Sequence, residues 1–258
     1  MQFTDTGEGV AHYRLDGPKD APVLVLLNSL GTDFRIWDDL VAGLTSDWRV
    51  LRYDFRGHGL TPVVPGPYSM EGLASDLRAL LEELGIERFA LCGLSIGGMI
   101  AMQLASHARD RVTHLVLCDT TMRMPQPEMW TDRAAQARAE GLDGLADAAI
   151  ERWFTPSVQA TPFAAGVRTM VARTSVEGYA ACCEAIAAMD LEPLIRDLQI
   201  PALVLVGEDD PATPVEAARA IARTLPAGRL QIMPGLRHLA CIEQPDAFAE
   251  HLRTFLGS

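Results

Sequence analysis

The chain has 258 residues, 48% of them hydrophobic and 22% charged, the proportions of an ordinary soluble globular protein. At this length a chain buries about 70 to 75% of the surface it exposes when unfolded, so no metal or disulfide staple is needed. Lys plus Arg number 22 and Asp plus Glu 34, giving a net charge of −12. The basic residues are scattered, which argues against a nucleic-acid or anionic-membrane partner. Five cysteines (Cys92, Cys118, Cys182, Cys183 and Cys241) form no CxxC pair and share no spacing with histidines, so buried free thiols are expected rather than a zinc or redox site. The N-terminal segment carries acidic residues and no apolar signal region, and no apolar run approaches a membrane span. The expectation is a cytoplasmic protein.

In chain order, strand-sized apolar runs stand at Val10–Leu15, Val23–Leu27, Arg49–Tyr53, Phe89–Cys92, Leu115–Cys118, Leu203–Val206 and Leu230–Met233. Several are continuously apolar, as strands covered on both faces by helices are, so a largely parallel sheet is expected. Helical patterns lie between them. The clearest is Ser69–Leu84, with Met70, Leu73, Leu77, Leu80, Leu81 and Leu84 on one face, Ser69 as N-cap and Gly85 as stop. The last helix begins near Pro245 and buries Phe248, Leu252, Phe255 and Leu256. Strands alternating with helices predict an α/β fold. From about Thr121 to Gln199 the alternation breaks into helix-like stretches alone, at Met129–Glu140, Leu142–Phe154 and Gly178–Met189. Residues 1–120 and 200–258 are therefore expected to form the core and 121–199 a helical insertion.

The chemistry concentrates in three segments. Gly93-Leu94-Ser95-Ile96-Gly97-Gly98 follows one apolar run and opens a helical stretch, the setting of a nucleophile elbow with Ser95 on the sharp turn. Chance predicts about 0.06 G-x-S-x-G matches in a chain with this glycine and serine content. A serine hydroxyl is a weak nucleophile at neutral pH and needs a histidine base oriented by a carboxylate. In this architecture the chain order is serine, acid, histidine. Asp210, in GEDDPATP after the Leu203–Val206 strand, and His238, in the loop after Leu230–Met233, meet that order. Both lie where strands of an open α/β sheet place ligands. Asp209 is adjacent but points the other way, and Asp119, after the Leu115–Cys118 strand, could reach the same edge. Oxyanion donors are expected from the backbone amides of Ile96, the residue after the nucleophile, and Leu30, in the Asn28-Ser29-Leu30-Gly31 loop. Asp54-Phe55-Arg56-Gly57-His58-Gly59 reads as structural, with glycines for a turn and Arg56 anchoring loops.

Together these segments resemble the α/β-hydrolase superfamily. At closer range NSLGTDFRIWD, RYDFRGHG, LCGLSIGGM, PEMW, ERWFTP, VEGYAACCEAI, GEDDPATP and HLACIEQP are similar to the 3-oxoadipate enol-lactone hydrolases of bacterial aromatic catabolism. Where many members of the superfamily carry His-Gly, this chain has Asn28-Ser29, as the lactonases do. The resemblance implies a mostly parallel eight-stranded sheet flanked by helices, with the insertion as a helical cap over Ser95. It also implies as substrate a small anionic five-membered lactone bearing an acetate arm, and no metal or organic cofactor. An arginine should offset the repulsion between that acetate and a −12 protein. Arg123, Arg133, Arg138, Arg152, Arg168 and Arg173 are candidates. Arg133, beside PEMW, is favoured, with Trp130 and Trp153 as pocket walls. A carboxylesterase, a carbon-carbon bond hydrolase of ring-fission products, a cofactor-free perhydrolase and a non-enzymatic receptor are the alternatives. The sequence leaves the oligomeric state open.

Overall fold

A computed structural model describes residues 1–257. Eight strands form one sheet: β1 (Gln2–Asp5), β2 (Val10–Asp16), β3 (Val23–Leu27), β4 (Arg49–Asp54), β5 (Phe89–Leu94), β6 (Val112–Cys118), β7 (Ala202–Gly207) and β8 (Gly228–Met233). Their spatial order is β1-β2-β4-β3-β5-β6-β7-β8. The pairs β1·β2 and β2·β4 are antiparallel and all the others parallel. β3, β5 and β7 are almost wholly buried, as the continuous apolar runs required. Alternation still sorts their side chains between the two faces. Leu24 and Leu26 point into one apolar cluster, with Leu40, Phe248 and Leu252, while Val25 and Leu27 point into the other, with Leu73, Leu77 and Ile100.

The helices are α1 (Asp38–Ala42), α2 (Met70–Glu83), α3 (Ile96–His107), α4 (Glu128–Glu140), α5 (Asp143–Trp153), α6 (Pro156–Gln159), α7 (Pro162–Ala172), α8 (Val176–Ala188), α9 (Glu192–Ile195), α10 (Val215–Thr224), α11 (Ala240–Glu243) and α12 (Pro245–Leu256), with a 3-10 turn at Phe34–Trp37. Ser69 caps α2 by accepting from the Gly72 N–H at 3.0 Å, and Gly85 leaves the helix with φ +64°. Helices α4 to α9 all lie between β6 and β7. The chain enters and leaves this insertion through a narrow neck, where Arg123 bridges Asp190 in antiparallel fashion and the Leu191 N–H donates to Met122 O at 2.8 Å. Within the insertion α4 packs on α8, and Ala134 and Ala137 of α4 and Ala180 and Ala181 of α8 are buried in one apolar cluster. All five cysteines are free and buried. Among the described residues no helix is long and apolar enough to cross a membrane.

Candidate active site

Four parallel strands in spatial succession deliver the candidate side chains to one edge of the sheet. Ser95 follows β5, Asp119 follows β6, Asp210 follows β7 and His238 follows β8. Ser95 stands alone between β5 and α3, with φ 56° and ψ −119°, a conformation that L residues seldom adopt. The flanking glycines let the turn close. A Cβ on Gly97 would come within 2.3 Å of Leu27 O, and one on Gly93 within 2.3 Å of Gly97 O. The Ser95 N–H donates to Cys118 O at 2.9 Å, and the Thr120 hydroxyl donates to Ser95 O at 2.7 Å. The strained turn is thus pinned to the loop after the neighbouring strand.

His238 Nδ1 lies 2.9 Å from Asp210 Oδ2, with both side chains buried. Thr213 donates its hydroxyl to the same oxygen at 2.6 Å, and the Ala212 N–H donates to Oδ1 at 2.8 Å. Burial pushes the Asp210 carboxyl up, but the facing His238 and these hydrogen bonds outweigh it, and the group titrates below its ordinary value. Asp119 is arranged differently. Among the described residues its Oδ1 accepts only from the Gly207 N–H, at 2.8 Å, and burial together with the nearby Asp210 charge drives its carboxyl well above the usual range. Of the two acids on this edge, Asp210 therefore contacts the imidazole and holds its charge. Among the described residues no hydrogen bond joins Ser95 Oγ to the His238 ring, and such contacts commonly tighten only with substrate bound. Trp153 stacks on His238 with centroids 6.3 Å apart, so α5 covers the histidine.

The loop after β3 is fixed from several sides. Asn28 Nδ2 donates to Thr32 O at 2.7 Å, and the Thr32 hydroxyl donates to Ser29 O at 2.7 Å. Gly31, with φ +76°, donates its N–H to His58 Nε2 at 3.0 Å and accepts at its carbonyl from the Thr174 hydroxyl, also at 3.0 Å. The N–H groups of Leu30 and Ile96, both buried, are bonded to no acceptor among the described residues. Ile96 is the first residue of α3, where the helix leaves N–H groups free and its dipole favours negative charge.

In the insertion, three of the six candidate arginines are neutralised by carboxylates: Arg123 by Glu192, Arg138 by Glu177 and Glu184, and Arg168 by Asp143 and Asp147. Arg173 is exposed on the wall of a cavity of about 770 Å³ between α7 and the loops after β3 and β4, which none of Ser95, Asp210 or His238 lines. Arg133 and Arg152 remain, half-buried and without an ion pair among the described residues. Arg133 lies over the Trp130 ring, 4.5 Å from its centroid. Burial and then the Arg133 charge push the Arg152 guanidinium below its ordinary value, and burial pushes the neighbouring Tyr179 up to about 12. Sequence reading passed over Thr213 and the bond from Gly31 to His58. Thr213 stands three residues after Asp210, a spacing at which short polar side chains meet locally, so its signal was present.

Residues 22–245 match the alpha/beta hydrolase fold family. Among curated proteins the chain is 35% identical to 3-oxoadipate enol-lactonase 2 of Acinetobacter baylyi over 95% of this chain and 92% of that one. It is 30% identical to enol-lactonase 1 of the same organism, with the same coverage. Among solved structures, the enol-lactonase from Burkholderia xenovorans superposes with a TM-score of 0.96 at 40% identity, covering all of both chains. A thermophilic esterase from Thermogutta terrifontis superposes at 0.89 with 32% identity, covering 96% of this chain and 93% of that one.

Proposed function

Because the chain belongs to the alpha/beta hydrolase fold family, we propose that it opens the enol-lactone of 3-oxoadipate by a serine acyl-enzyme route. The hydrogen-bonded Asp210–His238 pair, on the same sheet edge as the strained Ser95, carries this reading. His238 takes the Ser95 hydroxyl proton while Ser95 Oγ attacks the ring carbonyl, with Asp210 holding the imidazole and offsetting its positive charge. The N–H groups of Ile96 and Leu30 receive the oxyanion of the tetrahedral intermediate. Its collapse breaks the ring C–O bond and expels an enolate, a better leaving group than an alkoxide, which takes the proton back from His238 and ketonises. Water deprotonated by His238 then attacks the acyl-enzyme, releasing 3-oxoadipate and freeing Ser95.

The substrate assignment is supported by near-complete coverage of two enol-lactonases and by the two half-buried insertion arginines, Arg133 and Arg152, that have no ion pair among the described residues. Arg133, stacked on Trp130, holds the acetate arm, and Trp153 closes the pocket over His238. Arg133→Ala is expected to raise KM for the lactone about tenfold or more with a smaller effect on kcat, the loss of one charged contact. An unchanged KM removes Arg133 from this role. The reading as a whole is tested by following loss of the lactone ring absorbance, with a simple aryl ester as control. Faster turnover of the ester would favour a general carboxylesterase, which the likeness to the Thermogutta esterase also supports. Ser95→Ala should abolish both reactions.

A further inference from the structure

We propose that His58 is a positioning residue for catalysis: its imidazole holds the Gly31 peptide and thereby aims the adjacent Leu30 N–H at the oxyanion. The proposal rests on the reading of Ser95 as nucleophile and of Leu30 and Ile96 as oxyanion donors. It gives the Asp54–Gly59 segment a task beyond forming a turn.

The two ring nitrogens meet partners of fixed character. The Gly31 N–H can only donate, so Nε2, at 3.0 Å, must be the unprotonated acceptor. Arg56 O can only accept, so Nδ1, at 3.3 Å, must carry the proton. The partners thus select one neutral tautomer. The ring is 1% exposed and lies against Phe55 with centroids 4.1 Å apart, so it has no room to rotate away. Burial holds its pKa down to about 4, and Asp33, the carboxylate acting on it, opposes this only in part. Protonation would set a second N–H against that of Gly31.

The segment carrying His58 is itself clamped. Arg56 pairs with Asp76 on α2 and lies over the Tyr68 ring, 5.2 Å from its centroid. Gly57 meets Gly178 of α8 so closely that a Cβ on either would approach the other's Cα to 2.6 Å. From the opposite side the Thr174 hydroxyl binds Gly31 O. Gly31 is therefore gripped at its N–H by the core and at its C=O by the insertion, next to the one donor that a helix terminus does not supply.

The test uses hydrolysis of an aryl ester and inhibition by phenylboronic acid, whose tetrahedral serine adduct presents an oxygen to the oxyanion donors. His58→Phe, which keeps a ring but no acceptor, should lower kcat about a hundredfold with KM within about twofold, and weaken the boronate by a comparable factor. His58→Gln, whose amide oxygen can accept from Gly31, should recover at least a tenth of the wild-type kcat. A His58→Phe enzyme that melts like wild type and keeps its kcat and boronate affinity overturns the proposal. Should that variant not fold, nitrogen-15 spectra of the wild-type imidazole decide: any tautomer other than Nδ1–H between pH 6 and 8 overturns it. Ester hydrolysis surviving in Ser95→Ala would instead defeat the nucleophile reading, an outcome independent of His58.

Discussion

At the scale of single residues, the site sets two buried titratable groups against each other. Asp210 is held charged and His58 neutral, and each imposes its own pH dependence on stability. The His58 pKa falls from about 6.5 in the unfolded chain to about 4 in the fold, so protons favour unfolding. Its contribution is complete above about pH 6.5 and is lost progressively as pH falls towards 4, a change of about 3 kcal/mol. His58→Gln should flatten the denaturant-measured stability over that interval by about this amount relative to wild type. Asp210, whose pKa is lowered, contributes above the unfolded carboxylate value, and this is lost only as pH falls below about 4. Thr213→Val deletes one of the bonds that hold its charge. It should cost about 1.5 to 3 kcal/mol at pH 7 and less at pH 3, as urea titrations at the two pH values would show.

At the scale of elements, the contact between Gly57 and Gly178 fixes how closely α8 approaches the loop after β4. Gly178→Ala places a methyl 2.6 Å from Gly57 Cα and 2.7 Å from Gly57 O, where backbone must move. The expected cost is about 1 to 3 kcal/mol of stability, with a fall in kcat as the Gly31 peptide shifts; a full-activity variant of unchanged melting temperature would contradict this. Elements were legible in proportion to how local their causes are. The Ser69 cap, the face of α2 and the Ser95 turn are written in adjacent residues. β1 was missed because, as an exposed edge strand, it carries no apolar run. α7 was missed although Thr161 and Pro162 form an ordinary N-terminal signal, since its buried stripe is only Ala164, Val167 and Val171, too short and small-sided to stand out as a helical period. The bond between His58 and Gly31 spans 27 residues and had no local trace.

At the scale of the whole molecule, the proposed anionic lactone has to approach a chain of net charge −12 against its field. At about 0.01 M salt the screening length is about 30 Å, so the entire acidic surface would repel such an anion; at about 0.15 M it is about 8 Å, and only charges lining the pocket still act on it. Raising salt between these values should increase kcat/KM for the lactone and leave a neutral aryl ester nearly unaffected. A fall for the lactone would mean that steering by the arginines outweighs the global repulsion.

The neck at Met122 to Arg123 and Asp190 to Leu191 has an evolutionary consequence. The stretch it encloses begins and ends side by side, so it can be exchanged as one cassette without rethreading the sheet. On the proposed function, selectivity could then diversify in the exchanged stretch while Ser95, Asp210 and His238, which lie outside it, stay constant. Such a graft is not unconstrained: a donor lacking a threonine where Thr174 meets Gly31, or a glycine where Gly178 meets Gly57, would bring new specificity at the expense of turnover.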